Sequence, residues 1–307
     1  MKTLPRRVLK KAGLGIAAFL VFYFGVVGLA MYRVDTSLDF APSNPVAGGS
    51  HAVNMLEALI VRETIDNQWT PNNPWFFPTF LQDNMPNFQR GMMRAISRFS
   101  MELEAQIART RGSGAIDGDL ERATGLLQFP TDSWFFDFDQ SVLPILPADL
   151  QFRTAARSLR MYNERIARGT AVFETRQDVL AFTLERISGE IGARAAIIEN
   201  HMASRTLIDF VSDDIFYFNK GMAYAYYMIL RELRHDFDEV IRSQGLTRTW
   251  EQALDNLRFV SQQKPLIVMN ARGMDSIFAN HLYVQGFYLK RAIVQLDDIA
   301  RVIRAAR

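Results

Sequence analysis

Cysteine is absent from all 307 residues. That removes disulfide frameworks, thiolate nucleophiles, iron–sulfur clusters and Cys-type zinc sites. Acidic side chains are absent from the first 33 positions, which hold six bases, so the chain's net charge of +2 divides unevenly. The remainder has 29 basic against 33 acidic residues, net −4, and lacks the basic face that phosphate-backbone binding requires. A nucleic-acid partner is therefore not expected. Strand-like alternation of useful length, internal repeats, nucleophile elbows, phosphate loops, dinucleotide fingerprints and H-E-x-x-H are also missing. No catalytic residue and no cofactor is assigned. Carboxylate pairs for glycoside hydrolysis are defined by tertiary geometry and leave no mark in spacing, so the sequence leans away from an enzyme without deciding it.

What is present is a 21-residue apolar run, Ala12 to Tyr32, free of charge. At 1.5 Å per helical residue it suffices to cross a hydrocarbon core of about 30 Å. Lys2, Arg6, Arg7, Lys10 and Lys11 precede it and only Arg33 follows closely. Basic side chains stay cytoplasmic during insertion, so the expected arrangement is a cytoplasmic tail (1–11), a transmembrane anchor (12–32) and an exported body. In a bacterium this is a single-pass inner-membrane protein with a periplasmic domain. A cleaved signal is the competing reading, because Gly28-Leu29-Ala30 offers small residues. Secretory apolar regions run to about 7–15 residues, shorter than this one.

Residues 33–50, with Pro42, Pro45, Gly48 and Gly49, read as a stand-off linker. The body, residues 51–307, is expected to be an all-α multi-helix bundle and is large enough to bury a core without staples. Ser50 is a candidate N-cap before Val53, Leu56, Leu59 and Ile60 at helical spacing. Pro71, Pro74 and Pro78 then break any helix, and Pro86 opens the next. Its stripe is Phe88, Met92, Ile96, Phe99, Leu103 and Ile107, ending near Gly112. A short helix is expected over 117–128. Thr175 with Asp178 reads as a capping box, Ser212 to Asp214 as the start of a helix ending at Gly245, and 275–306 as a helix whose Leu282, Leu289, Leu296 and Ile303 form a bundle seam. The apolar stretch Ile215 to Leu230 contains Asn219 and Lys220, and at 16 residues it reads as a buried central helix and not a span.

Three places could carry recognition. Trp69, Asn72, Trp75 and Phe76 lie in a proline-stiffened loop suited to burying rings on the body itself or on a partner. Arg109 and Arg111, in the turn RTRGSG, could present guanidinium groups to an anion, although a glycine C-cap with terminal cations explains the same residues. Glu232 and His235 form one E-x-x-H pair, a weak metal candidate, since carboxylate-bridged di-iron bundles need two such pairs and two further Glu. A solvated acidic face paired with Arg231, Arg234 and Arg242 is the ordinary alternative for that cluster.

The loop, the RTRGSG turn and Trp134 in FPTDSW together resemble a bacterial family of membrane-anchored proteins known as domain of unknown function number twenty-three thirty-three, over most of residues 51 to 300. The resemblance implies one N-terminal anchor and an exported helical domain, and supplies no functional residues. The expectation is a membrane-anchored scaffold or accessory module with a protein partner in the membrane or periplasm. The alternative is an enzyme or carrier acting on lipid or cell-wall material in a cleft between the loop and the Arg109/Arg111 turn.

Overall fold

Helix α1 (Arg6–Leu20) runs unbroken into a π-helical stretch (Val21–Val27) and a closing turn, α2 (Gly28–Met31), in a computed structural model that describes residues 6–112, 116–136, 143–202, 210–265, 268 and 280–306. Lys10–Met31 is the one helical segment among the described residues long and apolar enough to cross a membrane. Its mean hydropathy is 2.3 and only 6% of its most apolar window is buried against protein, so it is not a core helix of the body.

The body is helical throughout, with no β-strand among the described residues: α3 (His51–Val61), α4 (Asn84–Arg111), α5 (Gly118–Leu127), α6 (Ala148–Ala167), α7 (Gln177–Met202), α8 (Phe210–Asp236), α9 (Asp238–Ser243), α10 (Thr247–Gln262) and α11 (His281–Ala305). Helix α8 is central and packs on α3, α4 and α10, while α11 bridges α7 and α10 and the α5–α6 pair closes on α3 and α4. Its Phe216, Met222 to Tyr226 and Met228 to Leu230 are buried, as a core helix requires. The Ser50 hydroxyl accepts from the Val53 amide (3.2 Å), and the α4 stripe from Phe88 to Ile107 is buried at every expected position. So is the α11 seam at Leu282, Leu289, Leu296 and Ile303, which packs inside the bundle on α7 and α10.

Helices α4 and α8 meet where each presents the same pattern, Phe88-Gln89-Arg90-Gly91 against Phe218-Asn219-Lys220-Gly221. A Cβ on Gly91 would collide with the Phe218 carbonyl oxygen, and one on Gly221 with the Phe88 carbonyl oxygen. Each backbone thus fills the space of the other's absent side chain. Close approach of this kind admits only glycine.

Directly after α3 the chain widens into a π-helical stretch (Arg62–Asp66) that buries a charged pair. Arg62 is 3% exposed and Glu63 fully buried, with Arg62 Nε 2.9 Å from Glu63 Oε1. Asn67 Nδ2 (3.2 Å) and Gln89 Nε2 (3.1 Å) donate to the same carboxylate, and Arg62 Nη1 donates to the Tyr224 hydroxyl (2.8 Å). The guanidinium also lies 4.6 Å from the Phe40 ring centroid and 4.9 Å from that of Tyr224. Burial pushes Glu63 up, against the opposing pull of Arg62 and the amide donors. Gln89 extends the cluster by accepting from the amide and hydroxyl of Thr70 (3.0 and 2.8 Å), which ties the proline-rich loop to α4.

Three local expectations change. Segment 33–50 is not a free stalk. Its carbonyls at Thr36, Ser37, Leu38 and Phe40 accept from Gln262, Tyr224 and Arg231 (2.6 to 2.8 Å), so it is strapped along the body. Helix α7 starts at Gln177, two residues after Thr175, and Arg176 engages the Asp178 carboxylate (2.9 Å). The helix expected to run to Gly245 breaks at Phe237 (φ −118°, ψ 23°), whose ring packs on Phe173, and resumes as α9. The start expected near Asp275 lies outside the described residues.

Asp213, beside Asp83 and Asp214 where the N-terminal apolar helix meets the body at Tyr32, is pushed up to about 6 by burial first and then by those two carboxylates. The folded chain therefore holds a proton that the unfolded chain releases near 3.8, and stability from this group is lost as pH rises from about 4 through 6. Asp213→Asn is expected to raise the melting temperature at pH 7.5 by a few degrees, roughly 1 kcal/mol after discounting for partial exposure, and to leave it unchanged at pH 4. Circular-dichroism melts at the two pH values read the difference directly.

Candidate functional site: an arginine-lined cleft

The residues singled out in the sequence do not converge. Helix α4 has 28 residues, about 42 Å at 1.5 Å each, and separates the aromatic loop at its N-terminus from Arg109 and Arg111 at its C-terminus. Trp69 is buried, its Nε1 donating to the Thr131 carbonyl (3.0 Å) and its ring edge-on to Phe152 (5.1 Å between centroids). Asn72 is buried too, with Nδ2 donating to the Ser133 carbonyl (3.1 Å). Both pin the loop to the body. Trp75 and Phe76 face outward.

Arg109 lies over the Phe182 ring (4.4 Å) and 3.7 Å from Glu102, and Arg111 pairs with Glu174. Gly112 (φ 88°) caps the helix, its amide donating to the Ala108 carbonyl (3.0 Å). Those two arginines are thus engaged by the body's own groups; the Ser113–Gly114 half of the turn lies outside the described residues.

At the weak metal candidate, Glu232 pairs with Arg231 (2.8 Å) and stands 3.8 Å from His51, while the His235 ring packs on His51 (5.2 Å). Asp236 caps α3, accepting from the amides of His51 and Ala52 and from the Ser50 hydroxyl (2.8, 2.9 and 2.8 Å). Among the described residues no three His, Asp or Glu side chains form a metal-ligand set.

A smaller concavity of about 260 Å³ sits beside Trp69 and Asn72, and a larger one lies between α4, α7 and the 127–131 turn. The larger is a cleft of about 630 Å³ whose charged lining is Arg90, Arg94, Arg98 and Arg194 against the single Glu190. Arg90, Arg94 and Arg98 fall four apart, so α4 stacks them on one face. Glu190 accepts from Arg94 Nε (2.7 Å) and stands 3.3 Å from Arg98 Nε, out of line for a hydrogen bond. Arg194 donates to Asn219 Oδ1 (2.8 Å) and lies 4.1 Å from the Phe218 ring centroid. Burial holds it down at about 10, with Glu190 opposing and Arg94 adding to the shift.

Arg90 reaches Asn87 Oδ1 and the Pro71 carbonyl, both at 3.3 Å. Met93, Phe129, Pro130, Ile197 and Phe218 supply apolar walls. Four guanidinium groups balanced by one carboxylate leave an uncompensated positive field in a concavity, the setting in which forked donors hold carboxylate or phosphate oxygens. In the sequence the signal was the R-x-x-x-R-x-x-x-R spacing from Arg90 to Arg98.

These features define an all-helical protein with one N-terminal helix of membrane-spanning length and a cationic cleft in its body. The chain belongs to the family described as an uncharacterized protein conserved in bacteria (DUF2333), whose model matches residues 67–209 and 199–305. The apolar helix lies outside both matched segments. No curated protein and no solved structure matches the chain.

Proposed function

We propose that the protein is a single-span inner-membrane protein, N-terminus in the cytoplasm, whose periplasmic body serves as a scaffold or accessory module of an envelope or membrane complex by docking an acidic segment of its partner in the arginine cleft. The observation that carries the reading is the four-to-one excess of arginine over glutamate in a concavity with apolar walls. The cleft starts close to the anchor. The Arg33 amide at the end of the span contacts Met85 Sδ (3.2 Å) in the first turn of α4, and Arg90 lies five residues, about 8 Å, further along that helix. The alternative of an enzyme working between the aromatic loop and the Arg109/Arg111 turn loses its cleft, since α4 holds those two elements at opposite ends.

Purified in mild detergent, the full chain is expected to bring down a companion protein. Arg94→Gln with Arg98→Gln should reduce that yield at least about tenfold, because removing charged partners from a desolvated contact costs ~2 kcal/mol or more. Raised salt should weaken the complex in the same direction. Recovery of free monomer alone, or a companion retained undiminished by the double variant, contradicts the reading.

A further inference from the structure

A group of exposed apolar side chains lies on the aromatic loop and the neighbouring 133–136 segment. Trp75 (72% exposed), Phe76, Phe80, Leu81 (70%), Phe135 and Phe136 face outward. The rings form one sheet of contacts: Trp75 with Phe76 (5.6 Å between centroids), Phe76 with Trp134 (5.9 Å), Trp134 with Phe136 (5.8 Å) and Phe136 with Phe135 (5.8 Å). No charged residue occurs in 75–82 or 133–136. A contiguous patch of exposed rings of this extent marks a surface that meets something apolar.

The anchor shows what it meets. The Tyr23 hydroxyl donates to the Phe76 carbonyl (3.1 Å), and Gly28 is pressed so closely on the turn that a Cβ there would come within 2.5 Å of the Pro78 carbonyl oxygen. Tyr23 is nine residues before Tyr32 and Gly28 four, which at 1.5 Å per residue places these contacts about 13 and 6 Å inside the end of the apolar run. A loop that accompanies the helix this far cannot stand clear of the bilayer that the helix crosses.

We propose that this aromatic apron is seated in the lipid of the leaflet facing the body, its rings at the boundary between headgroups and acyl chains, so that the protein rests on the membrane face and does not hang from a stalk. The inference rests on reading 12–32 as a span. Aromatic rings favour that boundary, and the two contact depths, about 6 and 13 Å, fall within and at the deeper end exceed the range of about 5–10 Å usual for interfacial elements.

The absence of cysteine makes the test clean, because single cysteines can be introduced into the full chain and carry a nitroxide. In phosphatidylcholine vesicles, a label at Leu81→Cys is expected to collide several-fold more often with oxygen than with a water-soluble nickel chelate, and one at the exposed Ala167→Cys to show the reverse. A label at Val21→Cys, exposed on the anchor, reports the span itself. Nickel access at Leu81→Cys with oxygen preference at Val21→Cys overturns the apron and leaves the anchor standing. Exclusion of both reagents at Leu81→Cys indicates a protein neighbour, such as a second copy, and also overturns it. Nickel access at Val21→Cys defeats the anchor reading.

Discussion

Replacing Glu63 by alanine is expected to lower stability by about 3 kcal/mol, because the buried Arg62 then keeps only the half-exposed Asp35 carboxylate, 3.8 Å away, as counter-charge. Arg62 is buried beside it and has no route to water that would not pull apart the strap at Asp35 to Phe40 or the face of α8. The loss should propagate, because Gln89 and Asn67 each lose an acceptor on the same carboxylate and Gln89 holds Thr70. For a body of this size 1 kcal/mol shifts the melting temperature by roughly 2–4 °C, so a fall of about 10 °C is expected in circular-dichroism melts in mild detergent. Exchanging both charges, Arg62→Met with Glu63→Leu, should cost less than Glu63→Ala alone. A double variant as damaging as the sum of its singles would show that the two charges are not coupled.

Gly221→Ala should be as harmful, at about 3 kcal/mol or more, and Gly91→Ala the same. An added methyl in a tight interface usually costs about 1–3 kcal/mol when side chains can give way. Here the obstacle is a main-chain carbonyl, of Phe88 in one case and Phe218 in the other, so relief requires α4 and α8 to separate. That separation would also move Arg90, Arg94 and Arg194, carried on or against those helices at the cleft. Partner recovery should therefore fall with Gly221→Ala even at temperatures where the helical signal remains. Gly125→Ala, where nothing stands within 4 Å, is the control and should leave melting unchanged or slightly raised. Melts of the three variants, compared in one detergent, decide whether the crossing is as tight as the geometry says.

The helices and their faces were legible because local chemistry agrees with the tertiary outcome. Ser50 caps α3, Asp117 caps α5 by accepting from the Asp119 and Leu120 amides (2.9 and 3.4 Å), and the stripes of α4 and α11 point inward at every described position. Asn219, which argued against a span, turns out to satisfy buried partners within the bundle: its amide donates to Gln285 Oε1 (3.1 Å), and its oxygen accepts from Arg194. Gln285, an interruption in the α11 pattern, completes the same network by donating to the Phe216 carbonyl (3.1 Å).

The remainder was hidden for physical reasons. Arg62 and Glu63 are adjacent in sequence, and nothing local announces that the helix opens there and buries both. The reciprocal F-x-x-G patterns acquire meaning only when α4 and α8 are placed together. Asp236 read as part of an acidic surface, yet it serves the N-terminus of a helix 184 residues away in the chain. The aromatic loop divides by side: Trp69 and Asn72 hold it down, while Trp75 and Phe76 face out, a distinction that composition cannot supply.

The side of the membrane on which the body lies decides the proposed role most directly. In intact spheroplasts, a membrane-impermeant maleimide is expected to label Ala167→Cys in the full chain and to reach Lys2→Cys only after permeabilisation. The chain's lack of any other cysteine makes each signal unambiguous. Labelling of Lys2→Cys in intact cells with protection of Ala167→Cys would contradict the account, as would recovery of the uncleaved chain in a salt-washed soluble fraction.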